Sequence, residues 1–364
     1  MLTTLVGRPV EELDTPALLI DLPAFERNLD FMSRDIATTG ISWRPHAKGH
    51  KCPAITRKQM AVGAIGVTCA KLGEAEVMAA AGVLDILIAN QVVGPIKARR
   101  LASLCAHADV VVACDNIKNA RELSAAGVAA GTQPRVIVEL NIGMERAGVL
   151  PGEDAVKLAT EIAALPGIRF AGVMGYEGHG MEYSDPGERR AEISRAVNSL
   201  VATAEAMRAA GLTVDLVSAS GTGTYRNAVS VAGLTEIQAG GGIFGDSVYR
   251  DLGVPVEPAL LLLSQVTSRP TPNRIIIDAG RKTVDPGERQ PVIRGLEGVT
   301  SLAFSAEHGT ATLDRANDTL DIGDRVLLEI GYHDQVTHLH DHLYGIRNGM
   351  IEAIWPVASR GRLQ

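Results

Sequence analysis

The chain is poor in aromatic side chains, poor in cysteine and without excess positive charge, and each shortage removes a class of function. Aromatics make up 4% of 364 residues, whereas Ala, Val and Leu are abundant, a balance suited to helices packed on a buried sheet. The four cysteines, Cys52, Cys69, Cys105 and Cys114, form no C-x-x-C pair, which argues against a zinc ribbon or a redox motif. They are too sparse for a disulfide framework, so reduced thiols in the cytoplasm are expected. A net charge of -7 and a pI near 5.8 argue against nucleic acid as partner. Gly or charge interrupts every apolar run well before the ~18 residues a membrane helix requires, and Met1 to Asp14 lacks the apolar core of a signal peptide. No G-x-G-x-x-G follows the first strand, which weakens a dinucleotide-binding reading.

What remains is a globular composition, 46% hydrophobic and 21% charged, with a strong alternation of strand and helix patterns. Apolar runs at 15–21, 64–70, 85–90, 109–114, 135–141, 168–176, 214–218 and 235–239, with a strand running into Lys48, read as about nine strands. Helical stripes separate them. In the longest, from Pro186 to Ala210, Asp185 caps the start, Ile193, Val197, Leu200, Ala204 and Met207 form one face, and Gly211 ends it. Near-continuous apolar strands in units of about 20–30 residues predict a parallel (β/α)8 TIM-type barrel. After Leu252 the helical stripes stop. Short β runs at 260–267, 274–278, 299–304, 325–330, 343–347 and 350–355 predict a smaller all-β domain. The expected domains are 15–252 and 253–364, with residues 1–14 as a further candidate for the second.

In such a barrel, chemistry gathers at the carboxyl ends of the strands. There the sequence places His46, Lys48 and His50; Glu145 and Arg146; Glu177 and His179; Ser220-Gly221-Thr222-Gly223-Thr224; and Gly240-Gly241-Gly242. Lys48, among cations and apolar neighbours, is a candidate nucleophilic amine; taken alone, the same stretch also reads as a solvated basic loop. The two glycine-rich turns offer backbone N–H groups to an anion, most simply a phosphate. A phosphate site and a lysine at one rim suggest pyridoxal phosphate held through Lys48. Farther on, His333, Asp334, His338, His340 and His342 crowd ten residues. On a strand, Asp334 and the last three histidines would share one face, as a divalent metal site or as a polar β-edge.

Thr15-Pro16-Ala17-Leu18-Leu19-Ile20-Asp21 and Arg44-Pro45-His46-Ala47-Lys48-Gly49-His50-Lys51-Cys52-Pro53 resemble the D-threonine aldolase and D-serine dehydratase group of alanine-racemase-like, fold type III pyridoxal phosphate enzymes. Glu139 to Gly148, the 221–224 turn, Asp278-Ala279-Gly280, Glu307-His308-Gly309 and Leu339-His340-Asp341 extend the resemblance over nearly the whole chain. It implies that Lys48 carries the cofactor, that Arg146 faces the pyridine nitrogen with Tyr176 nearby, and that Thr222, Gly223, Thr224, Gly241 and Gly242 surround the phosphate. It further implies a manganese or magnesium ion, a homodimer, and a D-3-hydroxy amino acid cleaved to glycine and an aldehyde. A dehydratase or racemase on the same scaffold is the alternative, and a non-catalytic cofactor carrier is the reading from another class.

The sequence departs from the group's pattern in three places. The aldolases show His-x-Asp where this chain has Tyr332-His333-Asp334, so Asp334 falls on the acidic ligand and Tyr332 where the histidine is expected; a bulge would bring His333 in as the second metal ligand, and otherwise the ligand set differs or the metal is absent. The lack of cysteine there disfavours a dehydratase. His179, the expected base, follows Tyr176 sooner than the pattern has it, and Gly49 stands where threonine is common.

Overall fold

The computed structural model describes residues 2–364, in two compact units. One unit comprises residues 33–48, 53–240 and 361–364; the other comprises residues up to Met32, 49–52 and 241–360.

The first unit is built on eight parallel strands: Ser42–Trp43, Val67–Cys69, Asp85–Gln91, Asp109–Cys114, Arg135–Leu140, Arg169–Gly175, Leu216–Ala219 and Glu236–Ile237. The last pairs with the first, and a parallel bridge from His46 to Thr68 joins the first to the second, closing the ring. Both faces of these strands are buried. Ile86, Ile88, Val110, Val112, Val136 and Val138 pack outward with the helices, while Leu87, Val111, Ala113, Ile137 and Met174 cluster on the other face. Burial on both sides explains why the strands are apolar at successive positions rather than at alternate ones.

The helix Pro186–Ala209 shows how the sequence sets its own ends. The Asp185 carboxylate accepts from the N–H groups of Gly187 and Glu188, both at 2.8 Å. Gly211, at φ +87°, follows the end of the helix. The expected stripe, Ile193, Val197, Leu200, Ala204 and Met207, is buried. Each of its large side chains contributes roughly 1.5–3 kcal/mol by burial.

The second unit holds a nine-stranded sheet. The sequence reading finds six of its strands after Leu252. It misses Val292–Ile293, two residues long, and Gly309–Leu313, whose Thr and Gly content reads as turn. The run Ala17–Asp21, expected as the first barrel strand, lies in this sheet instead. It pairs antiparallel with Leu260–Leu263 and parallel with Tyr344–Ile346. A strand buried on both faces has the same apolar signature in either sheet, so the pattern alone does not assign it.

Candidate functional site

In the barrel unit the expected rim residues follow the carboxyl ends of their strands. Lys48 lies in the 3₁₀ turn Ala47–Gly49 past Ser42–Trp43, with an exposed side chain and its backbone N–H donating to His46 Nδ1 at 3.2 Å. Gly240 packs where a side chain would strike the His46 backbone. This explains one glycine of the triplet by close approach alone.

Arg146 is carried by the loop after Arg135–Leu140. The Asn141 side chain fastens that loop by accepting from the N–H groups of Gly143 and Glu145. The guanidinium sits 5.8 Å over the Tyr176 ring and 3.9 Å from Glu139 Oε1. Glu139 is buried and also accepts from Gln91 Nε2 at 2.6 Å; burial pushes its pKa up, against the pull of Gln91 and Arg146. The Tyr176 ring is wedged between two glycines. A β-carbon on Gly221 would come within 3.2 Å of it, and one on Gly178 would collide with it. Tyr176 is therefore fixed beneath Arg146.

The turn from Ser220 to Thr224 has the build of an anion nest. Ser220 adopts φ +71°, and the N–H of Gly221 donates to Thr224 Oγ1 at 3.1 Å. The Ser220 hydroxyl is buried without a hydrogen-bond partner. Glu177 is buried with it, fully enclosed, and neither of its carboxyl oxygens has a partner. Burial raises its pKa, moderated by the nearby hydroxyls of Thr224 and Ser220.

This acid was noted in the sequence only as a rim residue, and its one sequence signal is a carboxyl directly after a strand that is apolar throughout. Because the folded protein holds the Glu177 proton above the ordinary value of 4.5, stability falls as pH rises from there toward the raised value. Glu177→Gln, which does not titrate, is expected to gain melting temperature over wild type progressively as pH rises above 5 toward the raised value of Glu177. A difference independent of pH would show that Glu177 is already ionised.

His179 lies in the 3₁₀ turn Gly178–Glu182. Its Nε2 is 2.7 Å from Glu192 Oε1, and its Nδ1 is buried without a partner. Arg195 first, and then His179, draws the Glu192 pKa down to about 2. An ionised Glu192 accepts the Nε2 proton and leaves the Nδ1 lone pair available, the tautomer a base requires.

The second unit carries its own centre. His333 is buried. Its Nδ1 is bonded to Asp246 Oδ2, which also accepts the His333 backbone N–H at 2.8 Å. Its Nε2 faces Asp334 Oδ1 at 3.1 Å, and the Tyr332 hydroxyl donates to Asp334 Oδ2 at 3.0 Å. Burial opposes charge on the ring, but the two carboxylates prevail and lift its pKa to about 10. His50 is buried in the same unit and neutral; burial, with the nearby charge of His333, lowers its pKa to about 3.

Gly241 and Gly242 also belong to this unit. A β-carbon on Gly241 would meet His333 and Tyr249, and one on Gly242 would lie 2.6 Å from Met32 Sδ. Packing thus supplies a reason for both glycines besides the phosphate.

The remaining histidines do not join this centre as the alternation reading expects. Residues 333–335 and 337–339 form two 3₁₀ turns, and the strand begins only at His342. Without a strand there is no common face for Asp334, His338, His340 and His342. His338 is exposed, and His340 Nε2 lies 2.8 Å from the Thr283 carbonyl oxygen. Among the described residues no group of three or more His, Cys, Asp or Glu side chains is placed to hold an ion. His333 and Asp334 are instead paired with each other, Nε2 to Oδ1.

Residues 20–248 match the family described as alanine racemase, N-terminal domain, and residues 259–346 match the putative serine dehydratase domain. A D-threonine aldolase of Arthrobacter sp is 37% identical over 98% of this chain and 95% of its own length. A 3-hydroxy-D-aspartate aldolase of Paracoccus denitrificans (strain Pd 1222) is 34% identical over the same shares. The crystal structure of a D-threonine aldolase from Filomicrobium marinum superposes with a TM-score of 0.95 at 38% identity, covering 99% of this chain and 98% of that one.

Proposed function

The chain belongs to the family defined by the alanine racemase N-terminal domain, and on that premise we propose that it is a pyridoxal-phosphate-dependent lyase that cleaves D-3-hydroxy amino acids to glycine and an aldehyde. The observation that carries this reading is the barrel rim. An exposed lysine, an arginine held over a wedged tyrosine, and a hydroxyl-rich turn each follow a strand of one closed barrel.

These residues fit the cofactor. Lys48 offers the amine, and Thr222, Gly223 and Thr224 offer hydroxyl and backbone donors beside the orphaned Ser220 hydroxyl. In the second unit, Gly241 and Gly242 are the further phosphate-turn residues of this reading. When bound, pyridoxal phosphate supplies an electron sink for the pair of electrons released at Cα. Arg146, a permanent cation, disfavours protonation of the pyridine nitrogen and leaves that sink weak. The protein then has to assist at the other end of the Cα–Cβ bond. His179, held by Glu192, takes the β-hydroxyl proton as that bond breaks.

His333 and Asp334 are the residues this reading assigns to a manganese or magnesium ion, but they are paired with each other, Nε2 to Oδ1 at 3.1 Å, and no third ligating side chain joins them among the described residues, so the pair does not fit such an ion. The homodimer and the cytoplasmic location are parts of the same reading. Cytoplasm accords with the sparse cysteines, and among the described residues no helix is long and apolar enough to cross a membrane.

Product analysis on a panel of D-3-hydroxy amino acids tests the proposal. D-threonine is expected to yield acetaldehyde and glycine in equal amounts. A 2-oxo acid with ammonia would establish the dehydratase instead, and exchange of the Cα hydrogen without cleavage the racemase.

A further inference from the structure

Glu177 is a buried acid that neither the packing of the barrel nor the chemistry above puts to use. It follows Tyr176 past the carboxyl end of Arg169–Gly175 and is fully enclosed, yet neither carboxyl oxygen forms a hydrogen bond. The hydroxyls of Thr224 and Ser220 lie beside it, close enough to draw its pKa down against the larger effect of burial. Of these, Ser220 Oγ is itself buried without a partner. Two orphaned polar groups are therefore neighbours, and each is able to satisfy the other.

The turn decides which of them gives a proton. Thr224 Oγ1 accepts the Gly221 N–H at 3.1 Å and donates to the Gly221 carbonyl at 3.3 Å. Its proton closes the turn, so what it offers Glu177 is a lone pair, and only a protonated carboxyl answers a lone pair. The Ser220 backbone is held at φ +71°, with its carbonyl accepting the Gln238 N–H at 3.2 Å. An ionised Glu177 would draw the hydroxyl protons of Ser220 and Thr224 to itself and away from the turn. A neutral Glu177 donates to Ser220 Oγ and leaves the Ser220 proton to be given onward. The charged groups on the adjoining rim elements are engaged elsewhere: His179 with Glu192, and Arg146 over the Tyr176 ring beside Glu139. Negative charge brought to the turn disfavours the ionised carboxyl further.

We propose that Glu177 is a neutral acid in the holoenzyme and the positioning residue of the 220–224 turn, donating to Ser220 Oγ so that the hydroxyl protons of the turn serve a phosphate group rather than a carboxylate. The inference rests on the reading of this turn as the phosphate site, and it adds the group that sets the direction of its hydroxyls. The effect is on binding, whatever the reaction.

Two measurements test this without reference to activity. The infrared spectrum of the holoenzyme at pH 7 is expected to contain the carbonyl band of an un-ionised carboxyl that Glu177→Gln lacks; carboxylate bands in its place would overturn the proposal. The second measurement compares the affinity of the full chain for pyridoxal phosphate and for pyridoxal, which has no phosphate. Glu177→Gln, neutral and still a donor, is expected to hold pyridoxal phosphate within about threefold of wild type. Glu177→Leu is expected to weaken it about tenfold, the worth of one hydrogen bond to an anion, and to leave pyridoxal unchanged.

Thr222→Ala separates this inference from the reading beneath it. It removes a hydroxyl of the turn and is expected to weaken pyridoxal phosphate but not pyridoxal; unchanged binding of both would overturn the phosphate site and this inference together. With Thr222→Ala behaving as expected, equal weakening by Glu177→Gln and Glu177→Leu would assign the role to an ionised carboxylate and overturn this inference alone. Unchanged binding by Glu177→Leu would do the same by removing Glu177 from the positioning role. Should Glu177→Leu fail to fold, Ser220→Ala takes its place, because it deletes the hydroxyl through which Glu177 acts; the same loss of about tenfold is expected, and no loss would overturn the proposal.

Discussion

Replacing Lys48 by alanine is expected to abolish the visible absorbance band of the covalently held cofactor and to lower turnover on the order of 10⁴-fold or more. The expectation follows from the surroundings of the amine. Two other basic residues of the same stretch are buried. Arg44 is buried against Glu236 and Asp85, and His50 is buried and neutral. Lys48 is exposed, in a turn at the carboxyl end of a barrel strand, where a ligand is met. Lys51, at φ +53°, has its carbonyl engaged by the Ser359 N–H. The absorbance spectrum and the assay are read on the same preparation. A retained band in Lys48→Ala would move the covalent bond to another amine. A lost band with retained turnover would separate the cofactor from the chemistry.

How much of this was legible in the sequence depends on the kind of signal each residue gives. The barrel was legible because eight parallel strands buried on both faces repeat one pattern, and Lys48, Arg146, Tyr176 and the 220–224 turn all follow such strands. Ala17–Asp21 carries the same pattern and belongs to the other sheet, since burial on two faces does not name the neighbour. The histidine-rich stretch misled for the opposite reason. Its spacing of two has meaning only on a strand, and the backbone there is two 3₁₀ turns.

Asp246 was missed altogether. It follows Gly245 in what reads as an ordinary turn, and its role arises from His333, 87 positions later. Glu177 gave a faint signal, and its meaning lies in being fully enclosed, which no local pattern reports. Gly49 was noted as a small change. Its weight appears only in the structure, where a β-carbon at 49 would collide with the His333 ring and Asp334 Oδ1.

Arg44→Met is expected to cost roughly 3–5 kcal/mol of stability, the range for removing one partner of a buried ion pair. The Arg44 side chain is 2% exposed and that of its partner Glu236 is 1% exposed. Arg44 Nε donates to Glu236 Oε2 at 3.0 Å, and Nη1 donates to Asp85 Oδ1 at 2.8 Å. Arg135 reaches the same Asp85 oxygen at 3.0 Å, so Asp85 keeps a cation when Arg44 is removed. Glu236 does not: its other oxygen, Oε1, already lacks a partner. Gly66 is part of the arrangement, since a β-carbon there would lie 2.7 Å from Arg44 Nη1.

The cost therefore resides in a stranded carboxylate rather than in a lost attraction, and this makes a further outcome necessary. Arg44→Met with Glu236→Gln is expected to recover most of the loss, because no buried charge is left unpaired. Melting curves of the wild type and the two variants check it. A double variant no more stable than Arg44→Met would show that Arg44 acts by filling the barrel floor rather than by pairing the charge of Glu236.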